Sequence, residues 1–269
     1  MSKFNCEKCG KTFNTKAPYT VHQKRKTSCI MNAGSVPATL APATLAPDVD
    51  TSSFAELKKY YDEILNKDKS TYTSSNDEPT PMDCISEMIS KIPSELWSKK
   101  ELSILDPCCG NGNFSIPILF ELLKYHQKDT ILEEILEFND INATRLENVK
   151  KIFCNETYHL QITNHDFITH KSDKKYDLIV ANPPYAKLLE NGKRASKNHN
   201  LIKDFIEKAL AQLKPKGYLL FITPDNWMSC ADRNVLIKII TSLQIVHLDI
   251  HGAKKYFKKN RIQFYLVYN

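Results

Sequence analysis

The chain has 269 residues, 42% of them hydrophobic, and a formal net charge of +6. That length can bury one sizeable α/β core plus a small appendage. No run of about 18 apolar residues occurs, which argues against a helical membrane span. The charge is local: residues 1–31 hold Lys3, Lys8, Lys11, Lys16, Lys24, Arg25 and Lys26 against Glu7 alone, so the remainder sums to zero. A basic end points to a polyanion, nucleic acid first, with a solubilising tail as the alternative. No apolar signal stretch follows Met1, so the eight cysteines are expected in a reducing compartment. There, clustered cysteines read as metal ligands before disulfides.

Residues 1–31 read as a small metal module. Cys6 and Cys9 are followed by His22 and Cys29, with Phe13 and Tyr19 between them. This stretch resembles zinc fingers of the two-Cys, two-His kind, with Cys29 in place of the second histidine and a longer final spacing. The resemblance implies a structural Zn2+ held by these four side chains, since so short a segment cannot fold on its apolar burial alone. The three helix positions that face bases in such fingers fall on Thr15, Pro18 and Val21. None makes a bidentate base contact, so phosphate binding through the lysines, or a protein contact, is expected. Residues 32–53 form a linker with the tandem repeat Pro37–Ala41 and Pro42–Ala46, whose prolines favour an extended spacer.

Residues 54–269 read as one domain. Phe54–Leu65 has the pattern of an amphipathic helix, and Thr80-Pro81 opens another through Ile92. Expected strands are Leu102–Asp106, Ile135–Asn139, Tyr158–Thr163, Tyr176–Ala181, Gly217–Thr223, Gln244–Ile250 and Ile262–Tyr268. Expected helices are Phe114–Gln127, Asn142–Phe153, Leu201–Leu213 and Ala231–Leu243. The alternation predicts an α/β fold with a doubly wound, mostly parallel seven-stranded sheet. The short link between the last two strands makes the final one antiparallel.

Two segments carry chemistry. Tyr176–Ala181 is apolar and ends in Asn182-Pro183-Pro184-Tyr185. The prolines end the ladder. The Asn182 side-chain oxygen and the Pro183 carbonyl then form two acceptors aimed at one point, beside the Tyr185 ring. That suits an exocyclic amino group on a planar base. The other segment is Asp106-Pro107-Cys108-Cys109-Gly110-Asn111-Gly112-Asn113-Phe114. An acid ends the strand and two glycines allow a tight turn against a ligand. In a doubly wound sheet this turn is where a nucleotide-like ligand binds. Its spacing is not that of a phosphate cradle, so a ligand without phosphates fits better.

Together these segments resemble the amino-group branch of class I S-adenosylmethionine-dependent methyltransferases, in particular adenine-N6 methyltransferases acting on DNA. The resemblance spans roughly residues 78–269. It implies a Rossmann-like fold and a binding site for S-adenosylmethionine built from Asp106, Pro107, Cys109, Gly110, Gly112 and Phe114. Thr80 and Pro81 would hold its methionine end. Asp140 would take the ribose hydroxyls, with Glu137 as a competitor, and Asp166 and Phe167 would meet the adenine. Asn182, Pro183, Pro184 and Tyr185 would be catalytic, with Asn182 also touching the cofactor. Asp106 as a helix cap, Asp140 as a helix-start carboxylate and Phe167 as a core aromatic are the structural alternatives.

The implied reaction is methyl transfer to the N6 amino group of an adenine that must flip out of its duplex. Lys187–His199, with Gly192, reads as a loop near the substrate, and Lys254, Lys255, Lys258, Lys259 and Arg261 as a phosphate-holding cluster. The DNA enzymes this motif order resembles carry a recognition domain after the last strand, and this chain stops on that strand. A protein partner supplying target recognition is therefore expected. RNA adenine, a protein glutamine, or an inactive DNA-tethering or partner-binding module are the alternatives. The location is expected to be intracellular, nuclear or cytoplasmic, with no membrane partner. The Lys- and Asn-heavy composition together with the finger suggests a eukaryote or one of its large viruses.

Overall fold

The computed structural model describes residues 4–5, 12–13, 20, 53–72, 78–154, 156–184, 201–224, 238–239, 241–249, 255–257 and 262–268. The chain divides into two compact units, Met1–Asp48 and Val49–Asn269. In the first, β1 (Phe4–Asn5) pairs antiparallel with β2 (Thr12–Phe13), Phe4 opposite Phe13. The predicted zinc ligands Cys6, Cys9, His22 and Cys29 lie outside the described residues, as do Thr15, Pro18, Val21 and linker residues 32–52.

The second unit starts where the Ser53 hydroxyl accepts from the Glu56 N–H and caps α1 (Phe54–Tyr60). This helix runs directly into a single π-helical turn, Tyr61–Leu65, closed by the Asn66 N–H on the Tyr61 carbonyl at 2.8 Å. Next come α2 (Met82–Ile89), α3 (Ser94–Trp97), β3 (Ile104–Asp106) and α4 (Ser115–Leu122). Pro117 sits in the first turn of α4, where no intrahelical donor is required of it. Then follow α5 (Lys128–Thr130) with its π turn Ile131–Ile135, β4 (Leu136–Asn139), α6 (Ala143–Ile152), β5 (Gln161–Thr163) and β6 (Tyr176–Ala181). The last elements are α7 (Leu201–Ala211), β7 (Leu213–Pro224), β8 (Gln244–Asp249) and β9 (Ile262–Tyr268).

The strands form one seven-stranded sheet in the order β5-β4-β3-β6-β7-β9-β8. The first five in that order are mutually parallel, and β9 runs antiparallel to both β7 and β8. The chain therefore winds outward from β3 in one direction, through β4 and β5, and then returns to begin the other half at β6. The reversal falls between β3 and β6. Loops that leave the carboxyl ends of two such strands diverge, and the crevice between them is the place where this architecture receives a ligand.

Alternation along the strands fills both faces. Leu178 and Val180 of β6 belong to a cluster with α1, α2, α4 and α6, while Ile179 and Ala181 belong to one with Phe205, Ile206 and Ala209 of α7. All six residues of β6 are buried, as expected of a central parallel strand. At the opposite end from the crevice, the buried Asp177 carboxylate accepts from the Ser103 N–H and hydroxyl, each at 2.9 Å, and pairs with Lys214 at 2.7 Å and with Lys99. Burial opposes its charge, but those cations and the Ser103 hydroxyl hold the carboxyl below its ordinary value. Ion pairing thus fastens β6 to the chain entering β3 and β7.

The seven strands, mostly parallel with β9 antiparallel, agree with the sequence expectation, and boundaries differ for local reasons. The expected helix to Gln127 stops at Leu122, where the Lys124 and Tyr125 N–H groups turn to carbonyls only three residues back. Ile135, expected in a strand, closes the π turn that buries Ile131 and Leu132. The expected helix Ala231–Leu243 lies mostly outside the described residues. Among the described residues, no helix is long and apolar enough to cross a membrane.

Candidate active site

Asp106, Asp140 and Asn182 each stand at or just beyond the carboxyl end of a neighbouring parallel strand, β3, β4 and β6. Their loops meet. The Cys108 thiol lies 3.6 Å from the Asn182 carbonyl, so the glycine turn and the Asn-Pro-Pro segment face each other across the crevice. The Gly110 N–H donates to Asp140 Oδ2 and the Asn142 N–H to Asp140 Oδ1, both at 2.8 Å. Asp140 thereby ties the glycine turn to the end of β4. A carboxylate has about four acceptor sites, so these bonds are compatible with further hydroxyl donors. Glu137, the competing acid, is paired with Lys174.

The glycines are required by their surroundings. Gly110 and Gly112 have φ of +56° and +87°, the left-handed region. A Cβ on Gly112 would come within 3.0 Å of the Phe153 ring and 3.4 Å of the Tyr61 hydroxyl. That hydroxyl donates to the Asn111 carbonyl at 2.7 Å, and the Asn111 side chain accepts from Asn148 at 3.0 Å. Burial pushes the Tyr61 phenol well above its ordinary value, which keeps it a donor. A π-helical turn often marks a functional place, and here it begins at the residue that braces the loop.

Asp106 is 3% exposed. Its Oδ1 accepts a long 3.4 Å bond from the Cys108 N–H, and its Oδ2 is buried with no hydrogen-bond partner among the described residues. Burial first, and then the nearby Asp140 carboxylate, push its carboxyl well above the usual range, opposed by the Cys108 N–H. An orphaned buried acceptor is costly, and a cationic ligand group would relieve it. Cys109 is buried, and burial raises its thiol well above the ordinary value, so it is a packing residue with no nucleophilic character. Beside Asp140, Ile141 is 70% exposed. An isoleucine left in solvent at the lip of a crevice offers an apolar face that a flat ring can cover.

Asn182 Nδ2 donates to the Glu78 carbonyl at 3.2 Å and to Thr80 Oγ1 at 3.1 Å. Thr80 is itself buried, and its carbonyl accepts from Asn113 Nδ2 at 3.1 Å. Pro81 caps α2, Pro183 is buried and Pro184 exposed. Asp166 is exposed and turns back to accept from the Ile168 N–H at 2.9 Å. Phe114 and Phe167 are core residues, each 4% exposed, with Phe167 packed 5.2 Å from the Phe205 ring. Both rings thus pack in the core, the structural alternative that the sequence also offered for Phe167. Tyr185 and the loop Lys187–His199 lie outside the described residues. Of the basic cluster, Lys255 is described and pairs with Glu87 at 2.8 Å, while Lys254, Lys258, Lys259 and Arg261 lie outside.

Sequence reasoning missed Asn139, which is 1% exposed. Its Nδ2 donates to the carbonyls of Pro107 at 2.8 Å and His165 at 3.1 Å. Its Oδ1 accepts from Thr163 Oγ1 at 3.1 Å and the His165 N–H at 3.2 Å. Its backbone carbonyl accepts the Cys109 N–H at 2.9 Å. One amide thus joins the loops after β3 and β5. An amide that closes the strand Leu136–Asn139, just before Asp140, was the available signal.

A family model described as Eco57I restriction-modification methylase matches residues 84–257. The chain is similar to the Type II methyltransferase M.HincII of Haemophilus influenzae, 29% identical over 159 residues, covering 54% of this chain and 28% of that protein. It is similarly 29% identical over 182 residues to the Type II methyltransferase M.VspI of a Vibrio species, covering 63% of this chain and 42% of that one. The chain thus spans less than half the length of these relatives. Among solved structures, one described as a class I S-adenosylmethionine-dependent methyltransferase of Listeria monocytogenes superposes with a TM-score of 0.63 at 18% identity, covering 83% of this chain and 70% of that one. That likeness concerns the fold.

Replacing Asn139 by leucine keeps the volume and strands four polar partners in the interior. We expect a loss of about 3 kcal/mol in unfolding free energy, read from urea denaturation. A change within experimental error would mean that the amide does not hold these loops together.

Proposed function

We propose that this chain, which belongs to the Eco57I restriction-modification methylase family, transfers a methyl group from S-adenosylmethionine to the N6 amino group of adenine in DNA. The observation that carries the reading is the placement of Asn182 at the carboxyl end of β6, across the crevice from the Asp106–Gly112 turn. The site fits the cofactor by its chemistry. The buried, orphaned Asp106 Oδ2 suits an ammonium group, the Asp140 carboxylate suits ribose hydroxyls, and the exposed Ile141 suits the face of an adenine ring. Asp166 would accept from that ring's amino group.

When bound, S-adenosylmethionine supplies a methyl on a positively charged sulfur, whose C–S bond breaks as the new N–C bond forms. The protein prepares the amine. An aryl amino nitrogen is a poor nucleophile because its lone pair is delocalised into the ring. Asn182 Oδ1 and the Pro183 carbonyl accept its two hydrogens and favour a tetrahedral nitrogen whose lone pair points at the methyl. Holding the two groups in line removes much of the entropic barrier. Tyr185 stacks on the flipped base, and the proton lost after transfer passes to solvent.

The basic N-terminal module is assigned to a structural Zn2+ held by Cys6, Cys9, His22 and Cys29. Its support is the hairpin: the pairing of Asn5 with Thr12 brackets a connection that contains both Cys6 and Cys9. The module adds phosphate affinity, and a protein partner supplies base-sequence reading that Thr15, Pro18 and Val21 do not. The protein acts inside the cell, where unmodified DNA is accessible.

Label from S-adenosylmethionine should appear in unmethylated DNA as N6-methyladenine, and Asn182→Ala should slow transfer by about a thousandfold. Label that enters RNA or a glutamine peptide and never DNA would sink the DNA reading. Asp106→Asn should weaken S-adenosylmethionine binding about a hundredfold by calorimetry. The same change should stabilise the cofactor-free protein at neutral pH. The native Asp106 carboxyl titrates above its unfolded value, so the native state keeps a proton that the unfolded chain has lost. Stability then falls as pH rises through that window, and asparagine removes the slope. A wild-type stability that rises with pH relative to Asp106→Asn would contradict this assignment. The full chain should carry one zinc per molecule by elemental analysis, and Cys6→Ser should carry far less; equal zinc in both would remove Cys6 from the ligand set.

A further inference from the structure

We propose that Thr80 is a positioning residue for the transfer step, acting through the orientation of the Asn182 amide. The inference rests on the methyl-transfer reading and goes beyond the expected role of Thr80 in holding the methionine end of the cofactor. An asparagine amide can present either face to a substrate amine. Only Oδ1 is useful, because Nδ2 would set donor against donor. The chain resolves this choice from a segment far away in sequence. Both Nδ2 hydrogens are taken, by the Glu78 carbonyl at 3.2 Å and by Thr80 Oγ1 at 3.1 Å.

The two acceptors differ in what they forbid. The Glu78 carbonyl cannot donate, so a flipped amide would place oxygen against oxygen there. The Thr80 hydroxyl tolerates either orientation chemically, but it supplies the second bond that fixes the amide plane. Thr80 is 2% exposed and cannot drift, since its own carbonyl is held by Asn113 Nδ2 at 3.1 Å. Asn113 lies in the turn that follows Gly112. The glycine turn, the segment before α2 and the catalytic amide therefore form one hydrogen-bonded series. Oδ1 lies on the opposite side of the planar amide from Nδ2, and the series sets its direction before any substrate arrives.

Thr80→Val keeps the side-chain shape and removes the hydroxyl. With wild-type DNA transfer as reference, kcat should fall about tenfold. The KM for S-adenosylmethionine should stay within about twofold, and Thr80→Ser should recover most of the rate. A tenfold rise in that KM with little change in kcat would overturn the proposal and make Thr80 a cofactor contact. Should valine prevent folding, Thr80→Cys, with a weaker acceptor of similar size, is read by the same split. Failure of the functional reading looks different: the wild type itself transfers nothing to DNA. The Asn182 side-chain amide pair then decides, identified in nitrogen-15 spectra by its absence in Asn182→Ala. Thr80→Val should shift that pair and speed its exchange with water. An unchanged pair overturns the proposal whatever the substrate.

Discussion

Everything at the crevice depends on one buried amide. Three parallel strands end side by side, and each releases a loop whose backbone groups leave the ladder together. Those groups cannot be left unpaired in a dry interior. Asn139 answers the problem with its whole polar complement, joining Pro107, Thr163 and His165 through its side chain and Cys109 through its carbonyl. The glycine turn and the loop carrying Asp166 thus share an anchor. Low local dielectric strengthens such a network when it is complete and penalises it when it is not. This explains why an amide is kept at a strand end that is only 1% exposed.

The segment before the sheet does comparable work from outside it. The π turn after α1 carries the Tyr61 hydroxyl to the Asn111 carbonyl, and the residues before α2 hold Asn182. Asn142, which caps α6, also donates to the Thr71 carbonyl at 3.0 Å. Residues 53–72 and 78–81 are therefore a brace for the crevice as much as a cover for the core. At the far end of the sheet, Asp177 and its lysines hold the strand entries. The crevice can carry an unpaired acid and an exposed isoleucine because both ends are secured by bonds that do not involve the ligand.

Much of this was legible in the sequence because its signals were expensive for a core to keep. An asparagine and two prolines closing an apolar strand, and two glycines after a buried acid, have few structural uses. The alternation of strand and helix patterns carried the mostly parallel, doubly wound sheet as well. What escaped had ordinary local signatures. Asn139 is one polar residue beside a more conspicuous acid, and its partners come from segments far apart. Tyr61 reads as a core aromatic until its hydroxyl is seen on a carbonyl 50 residues away. Phe167 follows Asp166 in a motif, and its packing against Phe205 comes from a helix far away in sequence. Asp140 and Glu137 lie three residues apart in sequence, and only the structure shows that Glu137 pairs with Lys174 while Asp140 accepts from the Gly110 N–H.

The antiparallel strand β9 has a consequence for how the molecule is made. β8 is synthesised before β9 but pairs with β9 alone, and β7 also waits for β9 on that side. Until residues 262–268 emerge from the ribosome, β7 shows an open edge and β8 has no strand to join. Open edges are templates for association with other chains. The crevice residues Asp106, Asp140 and Asn182 are all in place by then. The strands that carry those residues thus precede the one that seals the far half of the sheet, and the vulnerable interval lasts until β9 is made.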